Sequence, residues 1–481
     1  MQDAFHTIVI GAGSGGLTVA YGLAQLGKSV ALIEAHHVGG DCTNVGCVPS
    51  KTLIHQAKLH GSHDPAGVLA YVRQKRDDLR DKETHEFGEV KNLTLIFGRA
   101  RLLSPLRVAV DLNDGGQREI MAEHIVISTG ARPRMIPITG LPPERTLTNE
   151  NIFELPTIPK HLAVLGGGVI GVELAFAFHK LGSRVTVIDL APRVLTPYIA
   201  EVSSAIRHAL EDRGIAVHTE TSIKSYDAAT NTLWLDQHNH TLEVSDVDYV
   251  LMAVGRQRNI ENLGLEAVGV KVDPRSGIRT DSYGRTNIPT IYAIGDVTAT
   301  SAFTHSANAQ GRRVTQRIAF PALPALGDEP IYPTATFSDP EVASTGMSQD
   351  QISQRYHPNL VKRIQIDLPT QTDRGYTDDL KRGFIIVDAV RLTGKILHVT
   401  IVAPHASEMI SLFTLAMQSN LSLYRLYRVV YPYPTYSSGI LKAADAFVRD
   451  TLLNIRGEIK TYLRYRWGFN RPKSKWEEHR A

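Results

Sequence analysis

The sequence predicts an α/β fold with two doubly wound, Rossmann-type nucleotide-binding units, because one pattern occurs twice in order. Each copy is a β-branched strand, a glycine loop, a helical stretch and a second strand ending in an acid. In the first copy, Thr7-Ile8-Val9-Ile10 runs into Gly11-Ala12-Gly13-Ser14-Gly15-Gly16 and a helix-like stretch from Leu17 to Leu26. Gly11 permits the tight turn, Gly13 lets backbone approach a pyrophosphate, and Gly16 lets helix pack on strand. The strand Ser29 to Ile33 then ends at Glu34, placed to hold a ribose diol. In the second copy, Leu162-Ala163-Val164-Leu165 leads into Gly166, Gly168 and Gly171. A helix follows to about Leu181, and Arg184 to Ile188 ends at Asp189. Helix N-terminal N–H groups in both copies face where phosphate charge would lie.

Cys42 and Cys47 are the only cysteines in 481 residues and sit five apart. A structural disulfide closing so small a loop adds little, since loop-closure stabilisation grows with the length enclosed. Metal sites normally need three or four ligands. The spacing therefore points to a dithiol that opens and closes, with two inert core thiols as the plainer reading. Two dinucleotide units imply two dinucleotides. A flavin takes a hydride from a nicotinamide and passes two electrons to a disulfide, whereas two nicotinamides alone have no route to sulfur.

Composition fits a globular protein. At 43% hydrophobic and 21% charged residues the chain is ordinary globular material, and its length suggests roughly three domains. No uncharged apolar run approaches the ~18–20 residues needed to span a bilayer. The start, Met1 to His6, shows no basic segment followed by an apolar core, so no secretory signal is visible. A cycling thiol pair fits a reducing cytoplasm. The 19 histidines show no metal-ligand spacing, and no metal is expected.

Six landmarks extend the pattern. They are Gly39 to Lys51, Thr129-Gly130-Ala131-Arg132-Pro133, Gly166 to Glu173, Ala253-Val254-Gly255-Arg256, Ile291 to Asp296, and Phe337 to Ala343. On these residues the chain resembles the flavoprotein pyridine nucleotide-disulfide oxidoreductases, the group of dihydrolipoyl dehydrogenase, glutathione reductase and mercuric reductase, from about Phe5 to Val448. The resemblance implies FAD, a nicotinamide dinucleotide and a homodimer. It also implies an order of parts: an FAD-binding domain over 1–150, an NAD(P)-binding domain over 151–275, and a return to the FAD domain over 276–330. An α+β dimerisation domain over 331–455 and a basic aromatic tail over 456–481 complete it. The stretch Pro321 to Pro330 reads as a linker. Alternation in Phe384-Ile385-Ile386-Val387 and Ile396 to Val402 supports strands in the dimerisation part.

Residue roles follow from the same resemblance. Cys42 exchanges with substrate, and Cys47 lies against the flavin ring as a thiolate. Val48-Pro49-Ser50-Lys51 suits a helix beginning, which with a nearby cation lowers a thiol pKa. Lys51 reaches the ring and pairs with Glu173; Asp296 holds the ribityl chain, Thr304 lies near the ring, and Ala100 near the adenine. Gly40, Thr129 and Gly130 belong to the FAD side, and Gly255 to the nicotinamide side. Asp189 favours a free ribose 2′-hydroxyl and so NADH over NADPH. Arg193 follows closely and offers a phosphate a partner.

The departure from the family lies near the end. Disulfide-reducing members carry His-Pro-Thr and a Glu that act across the dimer on substrate thiols. Here Tyr433 stands in the histidine's place and Ser438 in the glutamate's. A phenol with pKa near ~10 is a poor base at neutral pH, whereas an imidazole near ~6.5 is a good one. Loss of such help costs about 10²–10⁴-fold, which demotes dihydrolipoamide and glutathione disulfide as substrates. Mercuric reductase also uses a tyrosine there, but it brings a second cysteine pair that this chain lacks. The expected function is electron flow from NADH through FAD and the Cys42–Cys47 disulfide to an acceptor the sequence does not name. Mercuric or other soft-metal reduction is the alternative.

Residues 456–481 hold eight Lys and Arg against three Glu, with Trp467 and Trp476. They read as a solvated or dimer-wrapping extension, or as a weak membrane-surface contact. Docking through such a tail belongs to a reading of another class, a redox-sensing or membrane-docked protein with little turnover. Nucleic-acid binding would need more than one such tail.

Overall fold

The computed structural model describes residues 3–61, 65–273, 275–298, 303–323 and 330–466. It divides into two compact units, Met1–Ala191 with Ile215–Glu329, and Pro192–Gly214 with Pro330–Ala481.

The first unit holds both glycine loops. Strands β1 (Ala4–Ile10) and β2 (Val30–Glu34) pair in parallel on either side of helix α1 (Ser14–Gln25) in sequence. The five-residue α2 (Gly40–Asn44) follows, then the 14-residue α3 (Cys47–His60) and the long α4 (Val68–Gly88). The long strands β3 (Leu93–Ser104) and β5 (Gln117–Ile127) do double duty, with the shorter β4 (Arg107–Leu112) between them. The start of β3 pairs in parallel with β2 and the end of β5 with β1, while their other halves form an antiparallel meander through β4. Strand Ile291–Ala293 completes this sheet beside β5. Apolar side chains cover both faces: Ile8, Ile10, Ile125 and Ile127 on one, Val9, Leu32, Val126 and Ile294 on the other.

The second loop lies on a five-stranded parallel sheet with His161–Leu165 at its centre, flanked by Arg184–Ile188 and Tyr249–Met252. Helix α5 (Val169–Lys180) follows its glycine loop. A three-stranded antiparallel sheet over Thr221–Val244 packs Leu233 and Leu235 into the same core.

The second unit is built on a five-stranded antiparallel sheet, in the order Thr334–Thr336, Glu341–Gly346, Ile396–Ala403, Phe384–Val390 and Val361–Asp367. The strand Ile396–Ala403 is buried along its whole length, because helices Ala406–Gln418 and Ser438–Leu453 pack their apolar faces into this core. Residues 192–214 join this unit through Tyr198, whose hydroxyl is 3.1 Å from Thr336 Oγ1, and through Arg363 to Glu201.

Most of the expected linker, and Trp467 and Trp476 of the basic tail, lie outside the described residues. The tail's first part forms helix Ile455–Tyr465. That helix is pinned by Glu458, 3% exposed, which accepts from Lys362 Nζ at 3.3 Å and Arg391 Nη1 at 2.8 Å. Such a buried carboxylate with two cations is costly to break, on the order of 3–5 kcal/mol when a partner is removed. Among the described residues no helix is long and apolar enough to cross a membrane.

Candidate functional site

The cysteine segment is shaped by small residues and side-chain clamps. Asn44 is buried and donates from Nδ2 to the carbonyls of Val38 and Gly40, both at 2.9 Å. Between the cysteines, a Cβ on Gly46 would lie 2.7 Å from Asp41 O, so the turn that brings the two thiols together excludes a larger residue. Both cysteines are free, half-buried thiols hydrogen-bonded to each other.

Cys47 is the first residue of α3, where the positive end of the helix dipole favours a thiolate. The hydrogen bond from Cys42 first, then those from Thr304 and the charge of Lys51, lower its pKa to about 6 against the opposing effect of burial. Cys42 moves the other way: its thiol proton is held by the bond to Cys47, burial raises it further, and Glu83 adds to this. The pair therefore splits into a thiolate at Cys47 and a thiol at Cys42. Thr304 Oγ1 lies 3.4 Å from Cys47 Sγ and opens the helix Thr304–Ala319, which has no side-chain cap and no acid in its first turn. One turn beyond Cys47, Lys51 Nζ donates to Glu173 Oε2 at 2.7 Å. Glu173 is 4% exposed and rides on α5, so this ion pair ties the helix after the cysteines to the helix after the second glycine loop.

Both glycine loops take the shape their acids require. Gly11 has φ +102°, and a Cβ there would lie 2.5 Å from Ser128 O; Gly166 has φ +107°, and its Cβ would lie 2.3 Å from Ala253 O. Cβ atoms on Gly16 and Gly171 would each strike a loop carbonyl at 1.9 Å. Glu34 accepts from Ala12 N and His36 N at 2.8 Å each, and Asp189 accepts from Gly167 N at 2.6 Å and Ala191 N at 2.8 Å. Helices α1 and α5 start after Gly13 and Gly168 with no side-chain cap and no acid in the first turn. Their first N–H groups suit phosphate oxygens.

Asp296 is mostly buried, and burial pushes its carboxyl up against the pull of Arg256. Arg256 donates to Asp41 and to Ala131 O, and its Nε, 3.6 Å from Asp296, is buried without a hydrogen-bond partner. An orphaned donor facing a mostly buried carboxylate is a setting that a flavin dinucleotide with its hydroxylated chain fits. Thr129 Oγ1 donates to Asn259 O at 2.8 Å and Asn259 Nδ2 returns a bond to Thr129 O at 2.9 Å, fixing the turn at Gly130. Gly255 O accepts from Arg134 N at 3.0 Å. Ala100 sits on β3 opposite Val110, at the edge of the apolar core.

On the Cys42 side opens a cavity of about 600 Å³, lined among others by Tyr21, Cys42, Glu83, Phe87, Asn308 and Arg312. Glu83 Oε2 accepts from Thr43 Oγ1 at 2.9 Å, which fixes the carboxylate in the cavity wall. Sequence reading missed Glu83, Asp41 and the charge role of Arg256, though Asp41 and Arg256 stood inside two of the landmarks. Nothing in the periodicity of α4 marks Glu83.

Tyr433 lies in the second unit, 75% exposed, and donates from its hydroxyl to Asp373 Oδ2 at 2.7 Å. That bond holds the phenol proton and raises its pKa, further from use as a base. Ser438 Oγ donates to Thr435 O at 2.6 Å, so the two residues do not form a pair.

Residues 5–311 match the family model "Pyridine nucleotide-disulphide oxidoreductase", and 332–444 match that family's dimerisation domain. Dihydrolipoyl dehydrogenase of Chlamydia pneumoniae is 33% identical over 453 residues, 91% of this chain and 95% of that protein. Mercuric reductase of Streptomyces lividans is 31% identical over 469 residues, 93% of this chain and 97% of that protein. Among solved structures, the HOCl-induced flavoprotein disulfide reductase RclA from Escherichia coli superposes with a TM-score of 0.82 at 27% identity, covering 92% of this chain and 99% of that one. Its Cu(II) complex superposes with a TM-score of 0.84, at the same identity and covering 92% of this chain and 100% of that one.

Proposed function

The chain belongs to the pyridine nucleotide-disulphide oxidoreductases and is a flavin-dependent enzyme of that family, and we propose that it carries electrons from NADH to the Cys42–Cys47 pair and on to a soft or borderline metal cation. The family implies FAD and NAD(P), and it includes a dimerisation domain. FAD, when bound, supplies the two-electron exchange between a nicotinamide and sulfur. Gly11, Gly13, Gly16, Glu34, Gly40, Lys51, Ala100, Thr129, Gly130, Asp296 and Thr304 would hold it; Gly166, Gly168, Gly171, Asp189 and Gly255 would hold the nicotinamide dinucleotide.

The observation that carries this reading is the placement of the two thiols: Cys47 at the start of α3 with Thr304 Oγ1 3.4 Å from its sulfur, and Cys42 on the cavity that Glu83 lines. On reduction the sulfur–sulfur bond takes up two electrons and one proton and breaks, leaving Cys47 as the thiolate favoured by its hydrogen bonds and Cys42 as the thiol. On reoxidation the pair closes again, releasing two electrons and the Cys42 proton to the acceptor side. One Hg(II) takes both electrons, or two Cu(II) take one each. Glu83 in the cavity wall beside Cys42 supports a cation over an anionic disulfide. Tyr433 in place of a base supports it too, since a metal ion needs no protonation on reduction. The RclA structure with Cu(II) is a related protein that binds such an ion.

The preference for NADH rests on Asp189. Homodimer formation, a cytoplasmic setting and the domain limits at 150, 275, 330 and 455 belong to the same proposal.

Anaerobic titration with NADH tests it. Two free thiols per chain are expected after one equivalent, against none in the oxidised enzyme. NADH oxidation should then respond to Cu(II) or Hg(II) more than to lipoamide or glutathione disulfide, and Cys42→Ser should lose that response. Preference for a disulfide would overturn the metal acceptor, and an unchanged thiol count would overturn the dithiol itself.

A further inference from the structure

We propose that His6, Glu123 and His124 form a surface-entered site for a divalent first-row transition cation such as Zn(II), separate from the thiols. Pairing of β1 with β5 runs Ala4 to Met121 and Phe5 to Ala122, then resumes at Thr7 to His124, leaving out His6 and Glu123. Phe5 and Ile8 face the same core, as do Ala122 and Ile125, so the two-residue alternation slips by one in both strands at this point. His6 and Glu123 stand level in this register, and the slip brings His124, which regular alternation would turn to the opposite face, to join them.

Their ligand atoms all lie within 4.8 Å of one another, and His6 Nε2 is 4.0 Å from Glu123 Oε2. His6 Nδ1 is 2.9 Å from the hydroxyl of Thr7, a residue with no solvent exposure. A bond from the other ring nitrogen is the usual outer-shell support of a metal-ligating histidine. Nδ1 of His124 is buried and has no hydrogen-bond partner. The Glu123 side chain is 73% exposed, which opens the site to solvent. Tetrahedral ligation at about 2.0–2.2 Å sets donors roughly 3.4 Å apart, so closure asks only for rotation of the exposed Glu123 side chain and small ring tilts. Two imidazoles and a carboxylate suit zinc, nickel or copper, with a fourth position for water. Lys28 acts electrostatically on both rings and opposes a bound cation, which Glu123 offsets.

The test is equilibrium dialysis of oxidised, flavin-loaded enzyme against Zn(II), with the cysteines closed as a disulfide. One EDTA-removable Zn(II) per chain is expected, with affinity at least ~10-fold weaker in His6→Gln and Glu123→Gln at unchanged flavin content. Glu83→Gln, in the separate cavity, should leave Zn(II) affinity as in the natural chain. Cu(II) bound at one equivalent should show electron-paramagnetic coupling to two imidazole nitrogens, reduced to one in His6→Gln. Unchanged Zn(II) affinity in His6→Gln, or Zn(II) lost in Glu83→Gln instead, would overturn the proposal. Should His124→Gln fail to fold, His6→Gln and Glu123→Gln, at the edge of the core, still decide it.

Discussion

The two glycine loops share one plan, down to which backbone N–H groups their acids engage, yet they differ in what lies over them. After Glu34 the chain turns back across the first loop: Gly39 N donates to Ala12 O at 2.9 Å, and a Cβ on Gly40 would lie 2.7 Å from Gly13 Cα. The cysteine segment is thus a roof on the first loop. After Asp189 the chain leaves, and residues from Pro192 belong to the other compact unit. Gly168 has open space around it. A roofed loop suits a dinucleotide that stays through many turnovers, and an open one suits a dinucleotide that arrives and departs. In the proposed function the same roof would set the two sulfurs beside the resident group, so that closure and chemistry come from one segment.

The largest expected effect separates the loops outright. Gly16→Val should yield colourless protein, because its Cβ has no room beside Gly11 O. Gly171→Val meets an equal clash at Gly166 O but should stay yellow, with reduction by NADH slowed by at least ~10²-fold through displaced nicotinamide. Flavin absorbance and stopped-flow reduction distinguish them; flavin loss from Gly171→Val would erase the distinction.

Next comes the acid of the open loop. Asp189→Ala should lower kcat/KM for NADH by about 10–100-fold, the worth of hydrogen bonds to a charged group, and narrow the ratio of NADH to NADPH. Natural enzyme that already prefers NADPH would refute this.

The roof itself can be probed by pH. In reduced enzyme the Cys47 thiolate should persist above pH about 6 and be lost on acidification through that value, since its pKa is depressed to about 6. Cys42→Ala removes the largest cause of that depression, so the midpoint should move upward. Ultraviolet thiolate absorbance or the rate of alkylation at Cys47 reports it; an unmoved midpoint would reassign the cause to Lys51 or the helix terminus.

The smallest effect concerns the cavity outside the roof. Glu83→Gln should raise KM for a metal acceptor by up to about 5-fold, as expected for one partly solvated charge, with the rate of reduction by NADH as the internal reference. An equal change for disulfide acceptors would dissociate Glu83 from cation choice.

What the sequence by itself determined is what short stretches of backbone demand. Gly11 and Gly166 answer a positive φ, Gly16 and Gly171 a carbonyl too close for any Cβ, and Glu34 and Asp189 a strand end facing loop N–H groups. Such demands allow one or two residue types, so they are legible as letters at fixed spacing, and the cysteine segment is legible for the same reason. The tertiary structure alone decided which ordinary residues meet. Arg256 joins Asp41 and Asp296, Glu83 comes to the Cys42 cavity, Glu458 buries against Lys362 and Arg391, and a slip in two strands gathers His6, Glu123 and His124. Charged and histidine side chains are acceptable on almost any surface, so their identity carries no address. Only strand register and helix packing, across separations from 40 to 215 residues, gave these their partners.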